Sequence, residues 1–209
     1  CSLVGSEMCI RDRVAGSDPV PGGGSIAALN GAIASALAAM VANLTIGKKG
    51  YELHEELMRH ISGVALQQKG AFVEDIDRDS EAYDKAFACF KMPKATDEEK
   101  AARSAAIQEA TKFAALVPMQ VARNAYELMT VIMDVARLGN RNAVTDACVA
   151  MMSARSAVLG ALMNVRINLG SLKDKEFVAK LQAEACELER LACAKEKELL
   201  DEINEELKV

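Results

Sequence analysis

Small residues recur at helical spacing in two separate stretches of this chain, and this pattern constrains the fold more than any other feature. In the first stretch, steps of three and four residues connect Ala27, Gly31, Ala34, Ala38 and Ala42. In the second stretch, the same steps connect Ala143, Ala147, Ala150, Ala154, Ala157, Ala161, Asn164 and Asn168. A seam of small residues lets two helix backbones approach closely. The pattern predicts an all-α fold, a helical bundle with a central pair of helices packed through small residues.

The composition agrees with one helical domain. The chain has 209 residues, of which 51% are hydrophobic and only 4% aromatic, and no segment alternates as a half-buried strand does. A net charge of -5 argues against a nucleic-acid partner, because phosphate binding needs clustered Lys and Arg. The stretch from Ser25 to Ile46 is long enough to cross a bilayer, but Asn30, Ser35 and Asn43 interrupt it. We therefore expect a core helix there and no membrane partner.

Local signals set the expected helix boundaries. Ser25 is the expected N-cap of the first helix, and Gly47 its stop. Pro118 is expected to kink or divide the third helix. Thr96 to Glu99 and Ser171 to Asp174 are two expected capping boxes. The predicted helices are Ser25 to about Ile46, Glu52 to Phe90 with a possible break near Ser62-Gly63 or Gly70, Thr96 to Leu138, Val144 to Leu169, and Ser171 to Leu207.

The first thirteen residues share no pattern with the rest of the chain. The segment from Leu3 to Asp12 resembles an in-frame translation of a transposase adapter used in sequencing-library preparation. We therefore expect residues 1–13 to be non-native, residues 14–209 to form a single domain, and the authentic N-terminal sequence to be missing. The gene in an intact genome tests this, because it should encode an ordinary helix upstream of Val14.

A glycine-rich turn, Pro-Val-Pro-Gly-Gly-Gly-Ser at positions 19–25, precedes the first predicted helix. Backbone N–H groups at a helix N-terminus form a ready site for an anion, and the helix dipole adds positive charge there. A plain turn with a Ser cap explains the same residues. Gly22, Gly23, Gly24 and Ser25 are accordingly candidate substrate-binding residues.

Polar residues at both ends of the second seam are the other candidates. Asn164 and Asn168 lie one turn apart, so their amides serve either a helix-to-helix network or a polar ligand. Asp146 lies in the first helical turn beside Asn140 and Asn142, an arrangement that also suits a carboxylate at a helix N-terminus with capping asparagines.

These groups are too far apart for one helix to bring them together. Asp146 and Asn164 lie about 27 Å apart along an unbroken helix, so they converge only through another helix or a partner subunit. Lys48 follows the first helix, where a cation also complements the helix C-terminus. The remaining charged and metal-binding residue types give weaker signals. The four acidic residues Asp75, Asp77, Asp79 and Asp84 are interpreted as a solvent face, and His54 and His60 lack metal-ligand spacing, so no metal is expected.

Three separated segments resemble one family over essentially the whole chain from Val14 onward. They are PVPGGGSIAALNGAIASALAAMVANLTIGKKGY, DRDSEAYDKAFACFKMPK, and GNRNAVTDACVAMM running to GALMNVRINL. The chain resembles the formimino-tetrahydrofolate cyclodeaminase and methenyl-tetrahydrofolate cyclohydrolase family. It departs from the family at its N-terminus and at Thr145, where Ser is more usual.

The resemblance implies chemistry at the carbon that bridges N5 and N10 of tetrahydrofolate. It implies hydrolysis of 5,10-methenyl-tetrahydrofolate to 10-formyl-tetrahydrofolate, with the release of ammonia from formimino-tetrahydrofolate as the first alternative and a non-catalytic folate-binding subunit as the second. It implies two catalytic residues, Asp146 as the carboxylate that balances the cation and moves a proton, and Lys48 as a proton donor or a contact of the folate tail. It implies that Asn140, Asn142, Asn164, Asn168 and the glycine turn bind substrate. No permanently bound cofactor is implied, since the tetrahydrofolate derivative is the substrate. We expect a cytoplasmic homodimer with shared sites.

Overall fold

The computed structural model describes residues 10–208, so residues 1–9 of the expected non-native peptide lie outside the described residues. Two 3-10 turns, Glu52–His54 and Arg141–Ala143, precede the third and fifth helices. The described residues contain no strand, and the predicted all-α bundle is confirmed. The helices are α1 (Ile10–Val14), α2 (Gly23–Asn43), α3 (Glu55–Phe90), α4 (Asp97–Leu138), α5 (Val144–Leu169) and α6 (Lys175–Glu206).

Helices α2 and α5 form the predicted central pair. The seam alanines of both helices are buried, and α2 packs against α5 on one side and α3 on the other. Close approach depends on small residues, since a Cβ added at Gly160 would stand 3.3 Å from the Ala27 Cβ. One seam residue faces elsewhere: a Cβ added at Gly31 would stand 2.7 Å from ring atoms of Phe72 on α3. Helix α4 packs on α3 and α5, and α6 packs on α5 and α4.

Two predicted helix starts are wrong. Helix α2 begins at Gly23 with Gly22 as its N-cap, and Ser25 is a buried residue inside the first turn. Ser25 therefore lies inside the helix and not at its cap position, and its hydroxyl donates a hydrogen bond to Asp79 on α3. Helix α6 begins after Asp174, whose carboxylate accepts a hydrogen bond from the Phe177 N–H at 3.0 Å, while Ser171 remains in the preceding turn. The capping box at Thr96 is confirmed.

The expected interruptions of α3 and α4 do not divide either helix. Helix α3 runs unbroken through Ser62-Gly63 and Gly70. Helix α4 continues through Pro118, which lacks the N–H that would bond the carbonyl of Ala114. The side-chain amide of Asn168 on α5 donates a hydrogen bond to that carbonyl at 2.9 Å. A neighbouring helix thus supplies the hydrogen bond that the proline removes.

Seven exposed apolar residues lie along the outer sides of α2 and α5, and we call them the α2–α5 face. Its most exposed members are Met163 and Ile167, which are 62% and 78% exposed. Both helices are long and apolar enough to cross a membrane, yet at least half of each apolar stretch is buried in the bundle. Buried core helices of soluble proteins can be equally long and apolar. The α2–α5 face consists of Ile33, Met40 and Leu44 on α2 and Val149, Met152, Met163 and Ile167 on α5.

The contact between Gly31 and Phe72 gives a stability prediction. Gly31→Ala should lower the free energy of unfolding by about 1–3 kcal/mol, because the new methyl group overlaps a buried ring. Gly63→Ala is the matched control. No atom lies within 4 Å of its added Cβ, so it should raise the free energy of unfolding by about 0.5–1 kcal/mol. Urea denaturation measures both changes, and equal effects would contradict the packing of α2 on α3.

Candidate functional site

A cavity of about 360 Å³ opens where the glycine turn meets three helices. This volume lies in the range of about 300–1,000 Å³ that is typical of small-molecule sites. Its wall combines apolar side chains with a few polar groups that converge on the N-terminus of α2. It is lined by Pro19, Val20 and Gly22 to Gly24 of the turn, by Asp79, Ala82, Tyr83 and Ala86 of α3, by Ala114 of α4, and by Asn164, Ile167 and Asn168 of α5.

Asp79 is the carboxylate of this cavity. The Ser25 hydroxyl donates a hydrogen bond to Asp79 Oδ2 at 2.9 Å, and the Ser25 backbone N–H also bonds this carboxylate. Burial raises the pKa of Asp79 above its ordinary value, and the two Ser25 hydrogen bonds offset part of that rise. A carboxyl group whose pKa is raised is a stronger base than an ordinary aspartate, which suits a group that accepts a proton during a reaction and returns it.

The glycines of the turn pack closely against polar side chains of the cavity. A Cβ added at Gly24 would stand 2.1 Å from Asp79 Oδ1, and one added at Gly23 would stand 3.3 Å from Asn164 Nδ2. The first backbone bond at this end of α2 runs from the Ile26 N–H to the Gly22 carbonyl, so the N–H groups before Ile26 have no partner within the helix. Gly23 and Gly24 both line the cavity, so the cradle predicted from the sequence remains a prediction at this wall.

Asn164 and Asn168 also line the cavity, and their amides have structural partners as well. Asn164 Nδ2 donates to the Gly160 carbonyl at 2.8 Å. Asn168 Nδ2 donates to the Asn164 carbonyl and to the Ala114 carbonyl, each at 2.9 Å. The amide nitrogens therefore fix helix geometry, and each side chain retains an amide oxygen that can accept a hydrogen bond from a ligand.

The other predicted site residues lie at the opposite end of α5. Lys48 Nζ donates to Asn140 Oδ1 at 2.9 Å, and the same oxygen accepts the Asn142 N–H at 3.1 Å. Asn140 is buried and also donates to the Leu44 carbonyl, so its side chain ties the end of α2 to the turn before α5. Asn140 therefore has the capping role considered for the asparagines, and Asn142 takes part only through its backbone N–H.

Asp146 is half-buried in the first turn of α5, and within residues 10–208 it makes no hydrogen bond or ion pair. With α5 continuous from Val144 to Leu169, Asp146 remains about 27 Å from Asn164. One copy of the chain thus brings the glycine turn, Asn164 and Asn168 together and keeps Lys48, Asn140, Asn142 and Asp146 apart from them.

A profile described as formiminotransferase-cyclodeaminase matches residues 9–187. The chain belongs to the formiminotransferase-cyclodeaminase family. It is 42% identical to a methenyltetrahydrofolate cyclohydrolase from Methylorubrum extorquens over 170 residues, which cover 79% of this chain and 80% of that protein. It is 32% identical to a formimidoyltransferase-cyclodeaminase from Rattus norvegicus over 168 residues, which cover 80% of this chain but only 31% of that protein.

The fold of this cyclodeaminase-family chain also matches a crystal structure. A formiminotetrahydrofolate cyclodeaminase from Thermotoga maritima superimposes with a TM-score of 0.81 at 31% sequence identity. The match covers 94% of this chain and 98% of that one. This chain therefore shares its fold with that formiminotetrahydrofolate cyclodeaminase.

Sequence reasoning missed Asp79 and Tyr83 as cavity residues. The interpretation of the acidic residues of α3 as a solvent face holds for Asp77 and Asp84, which are exposed, but it is wrong for Asp75 and Asp79. Asp75 is buried with its carboxylate 2.7 Å from the Arg78 guanidinium, and burial raises its pKa. Three residues on from the buried Phe72 is Asp75, and four residues further is Asp79. This helical spacing was the one signal in the sequence that placed both carboxylates on the buried side of α3.

Proposed function

We propose that this chain hydrolyses 5,10-methenyl-tetrahydrofolate to 10-formyl-tetrahydrofolate in one-carbon metabolism. The similarity that carries this proposal is the 42% identity to a methenyltetrahydrofolate cyclohydrolase over 80% of that protein's length. The chain spans less than a third of the curated formimidoyltransferase-cyclodeaminases it matches. We propose further that it works in the cytoplasm, without a permanently bound cofactor.

The reaction needs one water molecule and the movement of two protons. Water forms a C–O bond to the cationic methenyl carbon and loses a proton, which gives a neutral tetrahedral carbon. The bond from this carbon to N5 then breaks, N5 takes the hydroxyl proton, and a formyl group remains on N10. One proton is released overall, so the site needs a base beside the attacking water and hydrogen-bond donors for the oxygen.

The cavity residues suit these steps. Asp79 lies in the wall with a raised pKa, so its carboxylate can take the proton of water and return one to N5. Gly23 and Gly24 line the same cavity, and their N–H groups, which have no partner within the helix, are the proposed donors to the developing oxygen anion. The free amide oxygens of Asn164 and Asn168 can accept hydrogen bonds from the N–H groups of the pterin ring.

A second copy of the chain would complete the site. The exposed members of the α2–α5 face are apolar, as residues that pack against a partner subunit should be. A twofold axis beside Arg155, whose guanidinium lies 3.2 Å from Glu196 on α6, would lay two α5 helices antiparallel and bring Asp146 of one copy opposite Asn164 of the other. We therefore retain Asp146 as the carboxylate that balances the amidinium cation and Lys48 as a proton donor, each acting in the cavity of the other copy.

The alternative activity is cyclisation of formimino-tetrahydrofolate with release of ammonia. The fold match to the Thermotoga maritima cyclodeaminase over 98% of that chain favours it. The same cavity groups would serve, because this reaction also passes through a tetrahedral carbon between N5 and N10. A non-catalytic folate-binding subunit is the remaining possibility.

Purified protein incubated separately with the two substrates distinguishes these functions. We expect loss of methenyl absorbance well above the buffer rate and no ammonia from formimino-tetrahydrofolate. Enzyme-dependent ammonia release would assign the cyclodeaminase reaction instead. Folate binding without either turnover would assign the non-catalytic role.

The raised pKa of Asp79 predicts the pH dependence of both activity and stability. Activity should rise with pH along an acid limb whose apparent pKa lies above 3.8, the ordinary Asp value, because the base form must be present. The folded chain holds this proton more tightly than the unfolded chain, so the contribution of Asp79 to the free energy of unfolding falls as pH rises through the folded-state pKa. Rate profiles and urea denaturation between pH 4 and 8 measure the two effects. If the rate profile of Asp79→Asn kept the same acid limb, the assignment of Asp79 as the base would be contradicted.

A further inference from the structure

Two stacked aromatic rings lead out of the cavity along α3. Tyr83 lines the cavity, and its ring stacks on that of Phe87 with centroids 6.0 Å apart and planes inclined by 11°. The two rings are 39% and 47% exposed, so one side of the stack faces solvent. Exposed aromatic pairs of this kind are common stabilisers of a helix at four-residue spacing, but this pair continues the wall of a cavity.

An unpaired cation stands at the outer end of this row. Lys91 Nζ lies 4.5 Å from the centroid of the Phe87 ring, and within the described part of the chain it forms no ion pair. Lys85 differs, because its Nζ lies 3.6 Å from Glu81 Oε2 and 5.3 Å from the Phe113 ring on α4. The row therefore begins with Tyr83 at the cavity, continues with the exposed Phe87 ring and ends with the Lys91 ammonium group, which has no ion-pair partner among the described residues.

We propose that this row binds the tail of the folate substrate, with the p-aminobenzoyl ring on Tyr83 and Phe87 and a glutamate carboxylate at Lys91. This inference rests on the proposed function, which places the reacting ring system in the cavity. The row is about 12 Å long from Tyr83 to Lys91 at the rise of an α-helix, comparable to an aminobenzoyl ring joined through an amide to glutamate. Ring stacking and a charge-assisted hydrogen bond are the interactions that such a tail offers.

Lys91→Gln and the control Lys85→Gln test this assignment against two substrates. The second substrate is 5,10-methenyl-tetrahydropteroyl ethylamide, which keeps the amide but lacks both glutamate carboxylates. With wild-type protein, the KM of this analogue should exceed that of the parent by about three- to tenfold, the effect of one partly exposed charge pair. Lys91→Gln should raise the KM of the parent by the same factor, leave that of the analogue unchanged, and leave kcat within about twofold.

Lys85→Gln should change neither KM, because Lys85 points to Glu81 and Phe113 rather than to the row. Phe87→Leu should raise the KM of both substrates without removing the discrimination between them. An unchanged parent KM in Lys91→Gln, or an equal rise in Lys85→Gln, would overturn the assignment.

Calorimetric binding of tetrahydrofolate separates failure of this inference from failure of the proposed function. A weaker affinity in Lys91→Gln with no turnover by wild-type protein would leave the tail assignment intact and reject the hydrolase. Turnover by wild-type protein with equal affinities of wild type and Lys91→Gln would reject the tail assignment and leave the hydrolase intact.

Discussion

Asp79→Asn is expected to lower kcat for hydrolysis of 5,10-methenyl-tetrahydrofolate by about two to four orders of magnitude, the usual contribution of a positioned acid or base. Asparagine keeps an oxygen that can accept the Ser25 hydrogen bonds, but it cannot take a proton from water. The free energy of unfolding at neutral pH should be unchanged or higher, because the variant no longer buries a charge. Stopped-flow absorbance and urea denaturation measure the two quantities.

Asp77→Asn is the matched control for this change. Asp77 lies on the same helix two residues earlier and is exposed to solvent, so its substitution should leave kcat within about twofold. A folded Asp79→Asn variant with wild-type kcat would remove Asp79 from the mechanism. A loss of kcat together with loss of the fold would instead assign Asp79 to helix capping alone.

Met152→Glu is expected to separate the dimer and to abolish turnover. Met152 is exposed on the α2–α5 face, beside the proposed twofold axis, so two new carboxylates would be buried near each other. Burying an unpaired charge costs about 3–5 kcal/mol, which weakens association by roughly two to four orders of magnitude. Sedimentation velocity should show monomers, circular dichroism should show intact helices, and activity should fall with the dimer.

Val73→Glu provides the comparison for Met152→Glu. Val73 is an exposed apolar residue of similar accessibility on α3, outside the α2–α5 face, and it should tolerate the charge with no change in mass or rate. A fully active Met152→Glu monomer would refute the shared site. Dimers that resist the substitution would show that the copies associate elsewhere.

The sequence period predicted the helices well because each one buries a continuous stripe. The small-residue seams identified α2 and α5 as neighbours, and Thr96 marked the start of α4 through its own side chain. The errors lie where a distant partner decides the local geometry. Pro118 does not break α4, and Asn168 on another helix bonds the carbonyl that the proline leaves free. Ser25 does not cap α2, because the helix already begins at Gly23 and the Ser25 side chain bonds Asp79 on α3.

The candidate site was only partly predictable from sequence. The glycine turn and the two asparagines stand out in the sequence and do meet in one cavity. The sequence does not distinguish Asp79 from the other acidic residues of α3, because its burial depends on which side of α3 packs against the N-terminus of α2. The two groups of candidate residues remain separated in one copy, and no pattern within one chain specifies how a second copy is placed.

Co-expression of Asp79→Asn with Asp146→Asn tests the shared site most directly. Each variant alone should be nearly inactive. Random assembly should yield dimers of which half are mixed, and each mixed dimer should carry one intact site. Turnover by the mixture should therefore recover to about a quarter of the wild-type value, as twofold symmetry requires. Mixed dimers confirmed by native mass spectrometry but no more active than the two variants measured separately would contradict a site built from two copies.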